Sequence, residues 1–267
     1  MSMASDISTI SSSLNAIKNA IIDKGVTPSG NITTYAEAIS QISGGGEYSE
    51  FPSYQVSSGV ATKRSGALTG NEFSNITSIG TYGLYYSFIN SNVTGILDLS
   101  SITSVQNYGL SYAFLQSKIS EVDLSSLETI STQGLSYAFD SCNQLTSINL
   151  SKLKTLGDYA CVRFLYGTKV VNISFPLLDS LSNYSLQLAL GGNDLLENVY
   201  FNALKTTSFG SYTTAFVNIL TASGTNKTHT LHFPSNLQST ISGLTGYPNF
   251  GGTSGYVTLA FDLPATT

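Results

Sequence analysis

The sequence predicts an α/β repeat, a solenoid of about six coils preceded by a short N-terminal helical hairpin or coiled-coil module. Three observations predict it. Apolar residues recur every 25 or 26 positions through the middle of the chain. A 3-4-3-4 apolar spacing opens it, and the composition is nearly uncharged but rich in Tyr, Gly and small hydroxyl residues. Only 10% of the 267 residues are charged and the formal net charge is −5, where about a quarter charged is usual for a soluble domain. So few cations exclude a general nucleic-acid binder. The aromatic and β-branched content excludes charge-driven disorder, and no apolar run approaches the ~18 residues of a membrane span.

The first element is helical. Ile7, Ile10, Leu14, Ile17 and Ile21 step by three and four, a narrow heptad seam with polar flanks. Ser5 or Asp6 can cap its start. Branched apolar residues at both seam positions favour trimers over dimers, so residues 1–43 are expected to anchor or trimerise the chain. After the turn Gly25–Gly30, Thr34 and Glu37 form a capping box, with Tyr35, Ile39 and Ile42 at helical spacing. Gly44-Gly45-Gly46 is a flexible joint, and residues 44–70 are expected to be linker and N-terminal cap.

The solenoid is expected over 71–240, with a capping segment over 241–267 that carries a strand signal at Tyr256–Phe261. Phe73, Leu99, Leu124, Leu150, Phe175 and Phe201 form one column. Ile76, Ile102, Leu127, Leu153, Leu178 and Leu204 form a second, three residues on; Ile79, Val105, Ile130, Leu156 and Leu181 form a third. Leu97, Val122, Ile148, Ile173 and Val199 form a fourth, two residues before the first. A period of 25–26 falls in the leucine-rich-repeat range. Within a unit, Leu97-Asp98-Leu99 alternates as a short strand. Leu110 and Phe114, like Leu135 and Phe139, are four apart and predict a short helix with one apolar side. One unit cannot cover its own apolar face, whereas stacked units bury a continuous core.

These units resemble the BspA-like leucine-rich repeats. The resemblance rests on Leu145-Thr146-Ser147-Ile148-Asn149-Leu150, on Leu156-Gly157-Asp158-Tyr159-Ala160, and on Ile76-Thr77-Ser78-Ile79-Gly80-Thr81-Tyr82-Gly83. Units here run a few residues longer, and the family's Ala-Phe is often Gly-Leu. The run from Leu14 to Val26, followed by Pro28, Gly30, Tyr35, Ala38, Ile39 and Ile42, is similar to a short segment of phage and prophage tail and fibre proteins. Together the two resemblances imply a non-enzymatic virion protein. Its N-terminal module would join other virion proteins, and its repeats would face a glycan or protein of the host cell surface. The alternative they leave is a bacterial cell-surface adhesin, displayed extracellularly. Met1–Asp6 has no basic or apolar signal-peptide pattern, which fits a virion component made in the host cytoplasm.

Catalytic signals are absent from the sequence. It contains no Gly-x-Ser-x-Gly elbow and no P-loop. His229 and His232 are read as partly exposed imidazoles without further metal ligands. Cys142 and Cys161 are read as small buried apolar residues. No enzyme, cofactor, metal, nucleic acid or membrane insertion is expected. Two columns remain for recognition. Tyr86, Tyr112, Tyr137, Arg163 and Leu188 recur on the expected helix side, and Asp98, Asp123, Asn149, Ser174 and Tyr200 point outward from the strands. Tyr and Arg are favoured contact residues because they offer large contact areas at low ordering cost.

Overall fold

A computed structural model describes residues 55–57, 60–62, 65–67, 73, 76–221, 227–252, 254 and 256–266. All of them belong to the second of two compact units, Met1–Pro52 and Ser53–Thr267. The predicted module over 1–43, with Ile7, Ile10, Leu14, Ile17 and Ile21, lies outside the described residues.

The second unit is a parallel β-solenoid of about seven turns, against the six expected. A short antiparallel pair, β1 (Gln55–Ser57) and β2 (Val60–Thr62), precedes it. One face is built from the longer strands. β3 (Ser65–Ala67), β5 (Asn92–Asp98), β7 (Lys118–Asp123) and β9 (Ser147–Asn149) pair in parallel. β11 (Asn172–Ser174), β13 (Asn198–Tyr200), β14 (His229–Pro234) and β15 (Val257–Leu263) form the next parallel sheet. The ladder therefore runs past residue 240 and ends on β15. A corner sheet stacks β4 (Ser78–Ile79), β6 (Ser104–Val105), β8 (Thr129–Ile130), β10 (Thr155–Leu156) and β12 (Ser180–Leu181).

The four apolar columns face inward. Phe73, Leu99, Leu124, Leu150, Phe175 and Phe201 are all buried, as are the third column and most of the second and fourth. Ile76 and Ile148 are half-buried. Phe88, Phe114 and Phe139 stack coil on coil at 5.0 and 5.5 Å, and Phe175, Phe201 and Phe233 do so at 5.3 and 5.4 Å.

The helix side of the predicted α/β unit is not helical. Among the described residues the one α-helix is α1, the five-residue Gln238–Ser242, beside a single 3-10 turn at Thr206–Phe209. The segments around Leu110/Phe114 and Leu135/Phe139 are runs of tight turns instead. The hydrogen bonds show why. An α-helix sends each N–H to the carbonyl four residues back. Here alternate N–H groups leave the coil: Leu110 donates to Gly134 O (2.8 Å), Tyr112 to Ser136 O (2.9 Å) and Phe114 to Ala138 O (3.0 Å). The intervening ones close three-residue turns, Gly109 to Gln106 O (3.0 Å), Ser111 to Tyr108 O (3.2 Å) and Ala113 to Leu110 O (3.0 Å). The backbone accommodates this pattern by turning left-handed every fourth residue, at Tyr108 (φ 58°), Tyr112 (57°) and Gln116 (59°). The ladder thus repeats every four residues, so Leu110 and Phe114 both point inward as they would on a helix.

Close approach fixes a glycine column beside the ladder. A Cβ on Gly109 would stand 2.9 Å from Val105 Cγ1, and one on Gly134 would stand 2.7 Å from Ile130 Cγ2. Both contacted atoms belong to stiff β-branched side chains. Gly134→Ala is therefore expected to lower stability by about 1–3 kcal/mol, as overpacking does. Leu150→Ala should cost about 2–5 kcal/mol through its cavity. Denaturant titration of the two variants checks both. A loss well below 1 kcal/mol in either would place that residue outside the packed stack.

Candidate functional site

The turn face carries aligned side chains because each left-handed residue sits over its counterpart one coil away. One column contains Tyr86, Tyr112, Tyr137, Arg163 and Leu188, all left-handed (φ 51–58°). The tyrosine rings of this column lie in parallel: Tyr86 and Tyr112 at 4.6 Å and 4°, Tyr112 and Tyr137 at 4.5 Å and 8°. Four residues earlier a second column stacks Tyr82 on Tyr108 at 4.9 Å, and further along Tyr159 on Tyr184 at 5.1 Å. Tyr85 stands edgewise between the two columns, with its plane 82–90° from those of Tyr82, Tyr86, Tyr108 and Tyr112. The structure therefore brings four of the predicted residues, Tyr86, Tyr112, Tyr137 and Arg163, into one row. All four are half-buried.

Arg163 replaces the next ring. Its Cζ lies 3.6 Å from the centroid of Tyr166 and 5.6 Å from that of Tyr137. Its Nε donates to Asp140 Oδ2 at 2.6 Å, and Ser141 Oγ donates to the other carboxylate oxygen at 2.6 Å. The Asp140 side chain is only 3% exposed against 28% for Arg163. The carboxylate is thus an internal counter-ion, and the guanidinium is the only part of the pair that reaches the surface. Burial works against the guanidinium's charge, but the Asp140 carboxylate more than offsets it and the pKa rises.

The strand column is built differently. Asp98 and Asp123 are half-buried, and each turns its carboxylate back on the chain two residues later. Ser100 N donates to Asp98 Oδ1 (2.9 Å) and Ser125 N to Asp123 Oδ1 (2.8 Å). Asn149 Oδ1 accepts from Ser151 N in the same way (3.1 Å). These side chains shape the corner after each long strand as Asx turns. Ser174 is exposed, and Tyr200 stacks on His232 at 4.4 Å. Asp98, Asp123 and Asn149 are in register along one sheet, and Ser174 and Tyr200 along the next.

The two histidines part company. His229, read from the sequence as partly exposed, is 1% exposed, with Nδ1 2.8 Å from Leu196 O. It lies two residues before buried Leu231 on β14, so the strand alternation turns it into the interior. His232 is half-buried, with Nδ1 2.9 Å from Asp262 Oδ2 and Nε2 3.2 Å from Asn198 Oδ1. Among the described residues no cluster of three or more His, Cys, Asp or Glu side chains could hold a metal ion. Cys142 and Cys161 are free and buried. Burial pushes the Cys142 thiol up to about 11 and raises that of Cys161 as well.

Tyr82, Tyr85, Tyr108, Asp140 and Tyr166 belong to the site and were not singled out from the sequence. Counting 25 or 26 residues along from Tyr82 would have placed Tyr108 beside it, and the same count from Leu115 leads to Asp140 and then Tyr166. Among known proteins no family model matches the chain, and no curated protein or solved structure matches it either.

The ladder predicts an alkaline transition. Burial, then the neighbouring phenols Tyr137, Tyr86 and Tyr85, raises the Tyr112 pKa from 10.0 to about 12. The neutral phenol is thus favoured by the folded state. Its contribution to stability is complete below pH 10 and is lost as the pH climbs through about 12. Tyr112→Phe should flatten the decline in melting temperature across that window. An unchanged slope would mean that the Tyr112 hydroxyl titrates as it does in the unfolded chain.

Proposed function

We propose that the protein is a non-enzymatic virion component that recognises a host surface. Residues 1–43 attach it to other virion proteins, and the solenoid is displayed for adhesion to a surface glycan or protein. One observation carries the adhesive part of this reading: the parallel row Tyr86, Tyr112, Tyr137 and Arg163, set on left-handed backbone. The four half-buried side chains stand in one row on the outer face, outside the apolar core. Their stacking also removes in advance the side-chain entropy that binding would otherwise cost. The attachment part rests on the similarity of the N-terminal segment to phage tail and fibre proteins.

The pair Tyr112→Ala and Tyr137→Ala tests the adhesive role. Alanine at φ 57° carries the same left-handed strain as tyrosine, so the backbone is not further taxed by the change. The double variant should keep its circular dichroism spectrum and lose most of its binding to host cells. Full binding by a folded double variant would remove the tyrosine row from the function.

The assembly part is tested separately. Light scattering of the full chain should give a trimer, and Ile10→Asp with Ile17→Asp should give a monomer that no longer enters particles. A wild-type chain that scatters as a monomer would rule out trimerisation through the seam.

A further inference from the structure

We infer that the turn face binds a neutral, extended, β-linked glycan lying along the solenoid axis, with successive sugars read by successive tyrosine rungs. The inference rests on the recognition role proposed above and names its ligand class.

The first argument is what the stack leaves exposed. Within the row Tyr86–Tyr112–Tyr137 the rings are parallel to within 8° and 4.5–4.6 Å apart, so the facing sides of neighbouring rings cover each other. The surface offered to a partner is a line of ring edges and phenolic hydroxyls. A ligand that needs an open aromatic face, such as a nucleobase or a quaternary ammonium group, finds none between the rungs. A hydroxyl-rich ligand finds a row of groups that both donate and accept hydrogen bonds.

The second argument is the repeat. A ligand that meets several equivalent rungs must itself advance by about one rung per unit, between 4.5 and 5.1 Å across the two columns. An extended peptide advances by roughly 3.3 Å per residue and by about 6.6 Å between residues on the same face. Neither spacing fits. The sugar-to-sugar advance of an extended β-linked glycan is close to one rung.

The third argument is charge. The row has one cation, Arg163, and its guanidinium is already paired at 2.6 Å with the buried Asp140 carboxylate. The remaining rungs are phenols. Nucleic acid and polyanionic glycans need unpaired cations along the track, whereas a neutral glycan needs none. The Arg163 guanidinium, 3.6 Å from the Tyr166 ring centroid and partly exposed, then closes one end of the row.

The experiment is calorimetric titration of the full chain with neutral β-1,4-linked gluco-oligosaccharides of increasing length, beside β-1,4-linked oligomannuronates as the anionic counterpart. Affinity should rise with each added sugar until the row is filled and then level off, with little dependence on salt. Tyr112→Phe keeps the stack and removes one hydroxyl, and should weaken the longer oligomers by roughly 3- to 10-fold, the value of one hydrogen bond. Affinity that does not grow with length, or that favours the oligomannuronates and falls with salt, would overturn the inference. So would an absence of glycan binding while the Tyr112→Ala, Tyr137→Ala pair still loses host-cell adhesion. That last result leaves the recognition role standing with a different ligand. Unchanged adhesion by the same pair is the result that removes the recognition role itself.

Discussion

The structure depends on how the turn face spends its backbone hydrogen bonds. Every second N–H between residues 108 and 116 crosses to the next coil, and those of Gly109, Ser111 and Ala113 close turns within their own coil. That division works only if the chain turns left-handed once in every four residues. The described residues show it at fifteen non-glycine positions, among them Tyr82, Tyr86, Tyr108, Tyr112, Tyr137 and Tyr159. The crossing bonds hold each residue over its counterpart, 25 or 26 residues on from Tyr82 to Leu188, while the later coils are longer, with Leu231 beside Val199 and Leu259 beside Leu231. The corner strands and long strands then stack in register because the third face sets the pitch.

A left-handed L-residue costs about 1–2 kcal/mol, and the ladder uses many. Two gains of similar size oppose that cost. Each coil step adds inter-coil hydrogen bonds, and buried backbone groups left unpaired would be expensive. Parallel rings also contribute about 0.5–1.5 kcal/mol per pair beyond their buried area. The tyrosines are therefore structural and displayed at once. Where the row changes to Arg163, the buried Asp140 carboxylate and the face of Tyr166 take over the role of the missing ring. The same arrangement leaves the row nearly neutral.

The solenoid was legible because burial repeats. Leu99, Leu124 and Leu150 recur at the coil period, and the structure buries each of them. The turn face was not legible as such, because Leu110 and Phe114, four apart, satisfy a helix and a four-residue turn ladder equally well. Signals that separate the two were present. Gly167 and Gly192 continue the column of Asn90, Gln116 and Ser141, and Gly with Asn in one column marks left-handed backbone rather than helix. Gly83, Gly109 and Gly134 recur where a helix would favour alanine. The tyrosine row was legible as a column. Its partners were not, because Asp140 and Tyr166 join Arg163 from a neighbouring column whose other members, Ile89, Leu115 and Gly191, share no chemistry with them. The strand column was legible as outward-facing, while the bending of Asp98 and Asp123 onto Ser100 N and Ser125 N depends on corner geometry that period alone does not give.

Tyr112 is held left-handed by a hydrogen bond to the next coil. Nuclear magnetic resonance of isotope-labelled protein reads that bond through the scalar coupling carried across it. A coupling is expected from the Tyr112 amide nitrogen to the carbonyl of Ser136, 2.9 Å away, together with a positive φ near 57°. A coupling to the carbonyl of Tyr108, four residues back, with a negative helical φ, would contradict it.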